Sequence, residues 1–226
     1  MTDPTHKEAV LRNNRDECSF SCEKLAYWFF RLNGCLNLTN FLIHHESRGR
    51  EGTEVDVLGV RFPYRSEFAL SGRPMDDHEI FKGREKKLDI IIADSKTGLC
   101  DLNDSWLLPK FKNMARILFV LGVFPADSIC TISGRLYSEG FYEDDHTRIN
   151  LYSLGTRRNE NLPHTVIQLT WEEVLLFVHG RFVMFEDYKR QHDQWDSTGK
   201  ELFRKAIRFR QKPEQFAGYV ITRLVN

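Results

Sequence analysis

The run LDIIIADSKTG, Leu88–Gly98, decides how the chain folds. Its unbroken apolar part suits a central strand buried on both faces, and it ends on a polar turn at Gly98. Upstream, TEVDVLGVRF (Thr53–Phe62) is rich in β-branched residues and bounded by Gly52 and Pro63, which predicts a second strand. Leu36–Ile43 reads as a strand before that one. Further back, Leu25, Trp28, Phe29 and Leu32 fall at i, i+3, i+4 and i+7, one apolar face of a helix starting near Ser21. Asn33-Gly34 supplies its stop.

Downstream, Asn103 or Asp104 can cap a helix whose stripe is Leu107, Phe111, Met114, Ala115 and Leu118, ending near Leu121-Gly122. Two strands are expected at Ser128–Tyr137 and His146–Leu154, joined by the acidic turn Glu143-Asp144-Asp145. The last third reads as helical. Thr170-Trp171-Glu172-Glu173 is a capping box opening a helix to about His179, and further helices are expected over Phe182–Trp195 and Thr198–Arg210. The expected organisation is a polar lead-in over 1–20, an α/β core over 21–160 and a helical C-terminal extension over 161–226. The core carries a loop insertion at 64–87, a length often given over to function.

A chain of 226 residues suits one domain. Its 32 basic and 32 acidic side chains cancel, so net charge alone names no polyanionic partner. The five cysteines include Cys18 and Cys22 but form no Cys-x-x-Cys pair and no zinc-site spacing. They read as reduced, mostly buried thiols of a cytoplasmic protein; a zinc-stabilised interaction domain is the competing class. Met1–Asn14 lacks the apolar core of a signal peptide, and Ile117–Pro125 is too short to span a bilayer. No membrane association is expected.

Asp56 lies inside the second strand and Asp94 at the end of the third, with Lys96 two residues on and so on the same face. If the two strands pair, Asp56 can meet Asp94 across the sheet. Two adjacent carboxylates repel, and a divalent cation relieves the repulsion. Mg²⁺ prefers oxygen ligands and keeps several waters. It lowers the pKa of bound water and stabilises charge on a phosphate, while a nearby Lys can orient water or neutralise the transition state. These are the requirements of phosphodiester hydrolysis.

The arrangement resembles the PD-(D/E)XK nuclease superfamily, the restriction-endonuclease-like fold. The resemblance rests on EVDVLGVR (Glu54–Arg61), LDIIIADSKTG (Leu88–Gly98) and the preceding helix CEKLAYWFFRLNGC (Cys22–Cys35), and covers roughly residues 20 to 135. Val55 stands where that family's motif has Pro. The resemblance implies a central mixed sheet flanked by helices and Mg²⁺, with Mn²⁺ as a substitute. Asp56 and Asp94 become metal ligands, the Ser95 carbonyl a further ligand, Lys96 the catalytic lysine and Glu23 an accessory ligand. It implies a nucleic-acid substrate, DNA before RNA, in repair, recombination or defence, and it allows a homodimer. A non-catalytic nucleic-acid-binding or assembly module on the same fold is the alternative.

Each of these residues also has an ordinary structural role open to it. Asp94 could cap the turn into Gly98, Lys96 could form a salt bridge with Asp56, and Glu23 could simply favour the helix dipole. Glu54 reads as solvent-facing, His44-His45-Glu46 as a strand end rather than a metal cluster, and Lys110 as surface. The basic stretch Lys200–Lys212, with Arg204, Lys205 and Arg208 grouped on one side, reads as solvated surface or a phosphate-tracking face. The aromatic series Trp171, Phe177, Phe182, Phe185, Tyr188 and Trp195 reads as helix packing.

Overall fold

The computed structural model describes residues 19–47, 52–84, 86–190 and 195–225. The strands are β1 (Phe20–Ser21), β2 (Leu36–Ile43), β3 (Thr53–Arg61), β4 (Leu88–Ser95), β5 (Phe141–Glu143), β6 (Thr147–Gly155), β7 (Ile167–Thr170) and β8 (Leu224–Val225). The helices are α1 (Cys22–Leu32), α2 (Asp104–Leu107), α3 (Asn113–Leu121), α4 (Ile129–Glu139), α5 (Trp171–Met184), α6 (Glu186–Lys189), α7 (Ser197–Arg208) and α8 (Pro213–Ile221). The lead-in and Cys18 lie outside the described residues, apart from Ser19 and Phe20.

The architecture is α/β with a mixed six-stranded sheet in the order β2-β3-β4-β6-β5, β7 joining β6 beside β5. β4 is central, as its apolar run predicts: antiparallel to β3 on one side and parallel to β6 on the other. Two hydrophobic cores cover the two faces. On one, Leu25, Trp28 and Phe29 of α1 pack with Val57, Ile91 and Ala93 and with Val174, Leu202 and Phe216 of α5, α7 and α8. On the other, Leu58, Ile90 and Ile92 pack with Trp106, Ile117 and Ile132 of α2, α3 and α4. The C-terminal helices thus share the core of α1, and β7 belongs to the sheet.

Ser21 caps α1, its hydroxyl accepting the Lys24 N–H at 3.2 Å, and Gly34 takes φ +75 just past the helix end. The capping box at Thr170 and Glu173 forms as expected. Three expectations need correction. Ser128–Tyr137 is not a strand: Ile129–Glu139 is helical, with Ile129, Ile132, Ser133 and Leu136 buried at helical spacing. The single helix expected from Asn103 to Leu121 is broken at Pro109, whose ring cannot continue it, into α2, a 3₁₀ turn over Pro109–Phe111, and α3. The stop expected at His179 is absent, since α5 runs on to Met184 before the short α6.

The α7 start shows how tightly the layers fit. Asp196 caps it, accepting the Gly199 N–H at 2.8 Å, and the same carboxylate oxygen accepts the Trp28 indole N–H at 3.0 Å. A Cβ on Gly199 would lie 1.9 Å from the Trp28 ring. Trp28 is buried and held by its hydrogen bond, so it cannot yield. Gly199→Ala is expected to cost about 2 kcal/mol through overpacking, outweighing its gain in helix propensity. A thermal melt should fall by several degrees, and an unchanged or raised melt would show that the indole has room to move.

Candidate active site

Asp94 and Lys96 are delivered by the end of β4 and by the turn that follows. β4 pairs with β6 through Ser95↔Leu154. Beyond the strand, the Lys96 N–H donates to the Leu154 carbonyl at 2.8 Å, and the Trp171 indole donates to the Lys96 carbonyl at 2.8 Å. Both backbone groups of Lys96 are therefore fixed. The turn is stitched to β6 by the Ser153 hydroxyl, which donates to the Asp101 carbonyl at 2.8 Å. Gly155 permits the close approach, since a Cβ there would meet the Cys100 nitrogen at 2.6 Å.

Asp94 is buried and Lys96 half-buried. Their charged groups lie 3.8 Å apart. Asn103 joins them. Its backbone N–H donates to Asp94 Oδ2 at 2.7 Å, its side-chain amide donates to Asp94 Oδ1 at 3.2 Å, and its Oδ1 accepts from Lys96 Nζ at 2.9 Å. Sequence reasoning assigned Asn103 only a capping role. It occupies the N-cap position of α2, but its side chain makes no cap hydrogen bond and serves Asp94 and Lys96 instead. Burial pushes the Asp94 carboxyl up to about 6; Lys96 and the Asn103 N–H oppose the rise, and Asp56 and Asp101 add to it.

Asp56 arrives from β3. The β3–β4 ladder ends at Val57↔Ala93, so continuing its register sets Asp56 opposite Asp94. The side chain does not follow simple alternation. Val55 packs in the core of Leu58 and Ile92, whereas Val57 packs in the core of Ile91 and Ala93. Across the β2–β3 pair, Asn40 has φ 55 and Phe41 joins the core of Val55. Thr39 pairs with Val57 and Phe41 with Val55, so the strands change faces at the Asn40–Asp56 step with no residue inserted. The Asp56 carboxylate turns towards Ser95, whose N–H and hydroxyl both donate to Asp56 Oδ2, at 2.7 and 2.8 Å. The expected meeting of Asp56 with Asp94 is thus electrostatic, with Ser95 as the direct partner of Asp56.

Glu23 is half-buried in the first turn of α1, next to Cys22. Burial pushes the Cys22 thiol up to about 12, with Glu23 and Asp56 adding to the rise and Lys96 opposing it. Glu23, Asp56 and Lys96 therefore all lie within electrostatic range of one thiol. Among the described residues, no three Asp, Glu, His or Cys side chains converge into a metal-ligand cluster. The fit to a cation rests on two carboxylates, one of them buried and raised by its surroundings. That donor chemistry suits Mg²⁺, which is commonly held by one or two carboxylates with water, better than a closed zinc site.

The other sequence candidates settle elsewhere. Glu54 is exposed. His45 Nδ1 accepts the Ser47 N–H at 3.0 Å, and Glu46 binds Arg116, which holds its carboxyl down at about 2. Lys205 is not solvated surface: it is buried, 3.4 Å from Glu201 and 4.3 Å over the Tyr219 ring. Arg204 pairs with Glu201 at 2.8 Å, and Arg210 pairs with Glu186. Cys22, Cys35 and Cys100 are buried free thiols, and Cys130 is exposed. Among the described residues, no helix is long and apolar enough to cross a membrane. Compared with protein-family models, curated proteins and solved structures, the chain matches none.

Proposed function

We propose that the chain is a divalent-cation-dependent nuclease with a restriction-endonuclease-like core, acting on phosphodiester bonds and on DNA first. The observation that carries this reading is a buried Asp94 carboxyl raised to about 6 beside Asp56, with Lys96 held against it by a clamped backbone. A carboxyl raised by burial beside specific charged partners is the kind of group that reaction centres use.

Asp56 and Asp94 would hold Mg²⁺ or Mn²⁺, with the Ser95 carbonyl and Glu23 completing the set that the family resemblance implies. The ion, when bound, supplies a Lewis acid for the phosphate and lowers the pKa of water. The chain's own groups do the rest. Ser95 fixes the orientation of Asp56 through two donated hydrogen bonds. Asn103 holds Asp94 and Lys96 in one frame. The Lys96 ammonium donates to a non-bridging phosphate oxygen or to the attacking water, offsetting charge as it develops.

One observation favours the non-catalytic alternative: Asn103 donates to both Asp94 oxygens, as it would in a purely structural cap. A cleavage panel separates the two. DNA and RNA, single- and double-stranded, are incubated with Mg²⁺, with Mn²⁺ and with EDTA. Products are expected with cation and not with EDTA. No product from any substrate with either ion would leave the non-catalytic module standing.

A further inference from the structure

A cavity of about 420 Å³ opens beside this site, walled by the end of β2, the start of β3 and the 3₁₀ turn after α2. His45, Thr53, Ser105, Lys110, Phe111 and Arg116 line it. Asp56, Asp94, Lys96 and Asn103 do not line it themselves, but two of its wall residues stand close to them in the chain. Thr53 lies on the same strand as Asp56, about 10 Å before it, and Ser105 follows Asn103 by two residues. The Thr53 hydroxyl donates to the Ser105 hydroxyl at 3.0 Å, closing the wall between them.

Its chemistry is aromatic and cationic. Phe111 is exposed, a large ring left facing solvent at the cavity. Lys110 Nζ lies 5.0 Å from its centroid, and Lys110 is exposed as well. Arg116 is committed to the floor: it donates to Glu46 at 2.8 and 2.7 Å and to Asn113 at 3.0 Å. An exposed ring beside an exposed ammonium is the pairing that stacks a base and meets its phosphate. The volume falls in the range that encloses one small ligand. A base within a duplex offers no free face to Phe111, so only an unpaired or flipped-out nucleotide can enter.

We propose that this cavity receives an unpaired nucleotide flanking the scissile phosphate, its base on Phe111 and its phosphate at Lys110, so that the site takes single-stranded nucleic acid. The position of the scissile phosphate rests on the nuclease reading; the cavity's affinity does not. Fluorescence anisotropy in EDTA tests it, using labelled single-stranded DNA, single-stranded RNA and blunt duplex DNA of one sequence. The proteins are the wild type, Phe111→Ala and Lys110→Glu. A single strand is expected to bind at least about 10-fold more tightly than duplex, and each cavity variant to lose about 10-fold on it. The DNA and RNA arms identify the sugar. Tighter duplex binding, no single-strand binding, or unchanged affinity in both cavity variants overturns the proposal. Cavity variants that lose binding in a protein that cleaves nothing sink the nuclease reading and leave the cavity standing.

Discussion

Lys96→Ala is expected to lower the cleavage rate about 10³-fold, close to 4 kcal/mol of transition-state stabilisation. The size follows from the setting. The Lys96 ammonium lies 3.8 Å from Asp94, the Lys96 backbone is fixed at both N–H and carbonyl, and Asn103 Oδ1 aims the ammonium. A positioned charge needs no reorganisation during reaction, which is what makes its loss expensive. The fold should survive, because Lys96 is only half-buried and its hydrogen bonds with Trp171 and Leu154 are made by its backbone, which the substitution keeps. Two measurements run together. Single-turnover cleavage reads the chemistry, and the melting shift on adding Mg²⁺ reads cation binding. Lys96→Ala should lose the first and keep the second. Cleavage within 10-fold of wild type would remove Lys96 from the mechanism, and loss of both would recast it as a residue that builds the cation site.

The central frame was legible because its signals are local. The apolar run of β4, the turn residues around β3, the i, i+3, i+4, i+7 stripe of α1 and the capping box of α5 each state their structure within about ten residues. The segment after Ser128 misled because Ile129, Thr131 and Ile132 are β-branched, a composition that favours strands. Its Ile129, Ile132, Ser133 and Leu136 spacing carried the helical period all along, and burial against α3 decided the outcome. The helix at Pro213 lacked a side-chain cap to announce it. Within the site, Asp94 and Lys96 could be placed because one strand delivers both. Asn103 could not, since its role depends on a turn folding back over nine residues. Nor could the turn of Asp56 towards Ser95, which depends on a left-handed Asn40 in the neighbouring strand.

The buried carboxylate has a cost that can be measured without any substrate. Asp94 moves from an ordinary 3.8 to about 6 in the folded chain. A raised folded pKa means the fold holds that proton more tightly than the unfolded chain does. Asp94 therefore costs nothing below about pH 4, costs progressively more as pH rises through 6, and above that holds steady at about 3 kcal/mol. Asp94→Asn keeps an acceptor for the Asn103 N–H and removes the charge. In EDTA, its stability relative to wild type should rise from near zero at pH 4 to about 3 kcal/mol at pH 8, several degrees of melting temperature for a chain of this size. Comparing variant with wild type at each pH cancels the opposite trends of Glu46 and Glu143, whose carboxyls are held down at about 2 by arginine and lysine partners. Millimolar Mg²⁺ should then raise the wild-type melt and leave the variant unmoved, because the ion neutralises the charge that the substitution deletes. A gain that is flat with pH would mean Asp94 is not the titrating group. A pH-dependent gain with no Mg²⁺ response in the wild type would mark a buried, unrelieved carboxylate and favour the non-catalytic module.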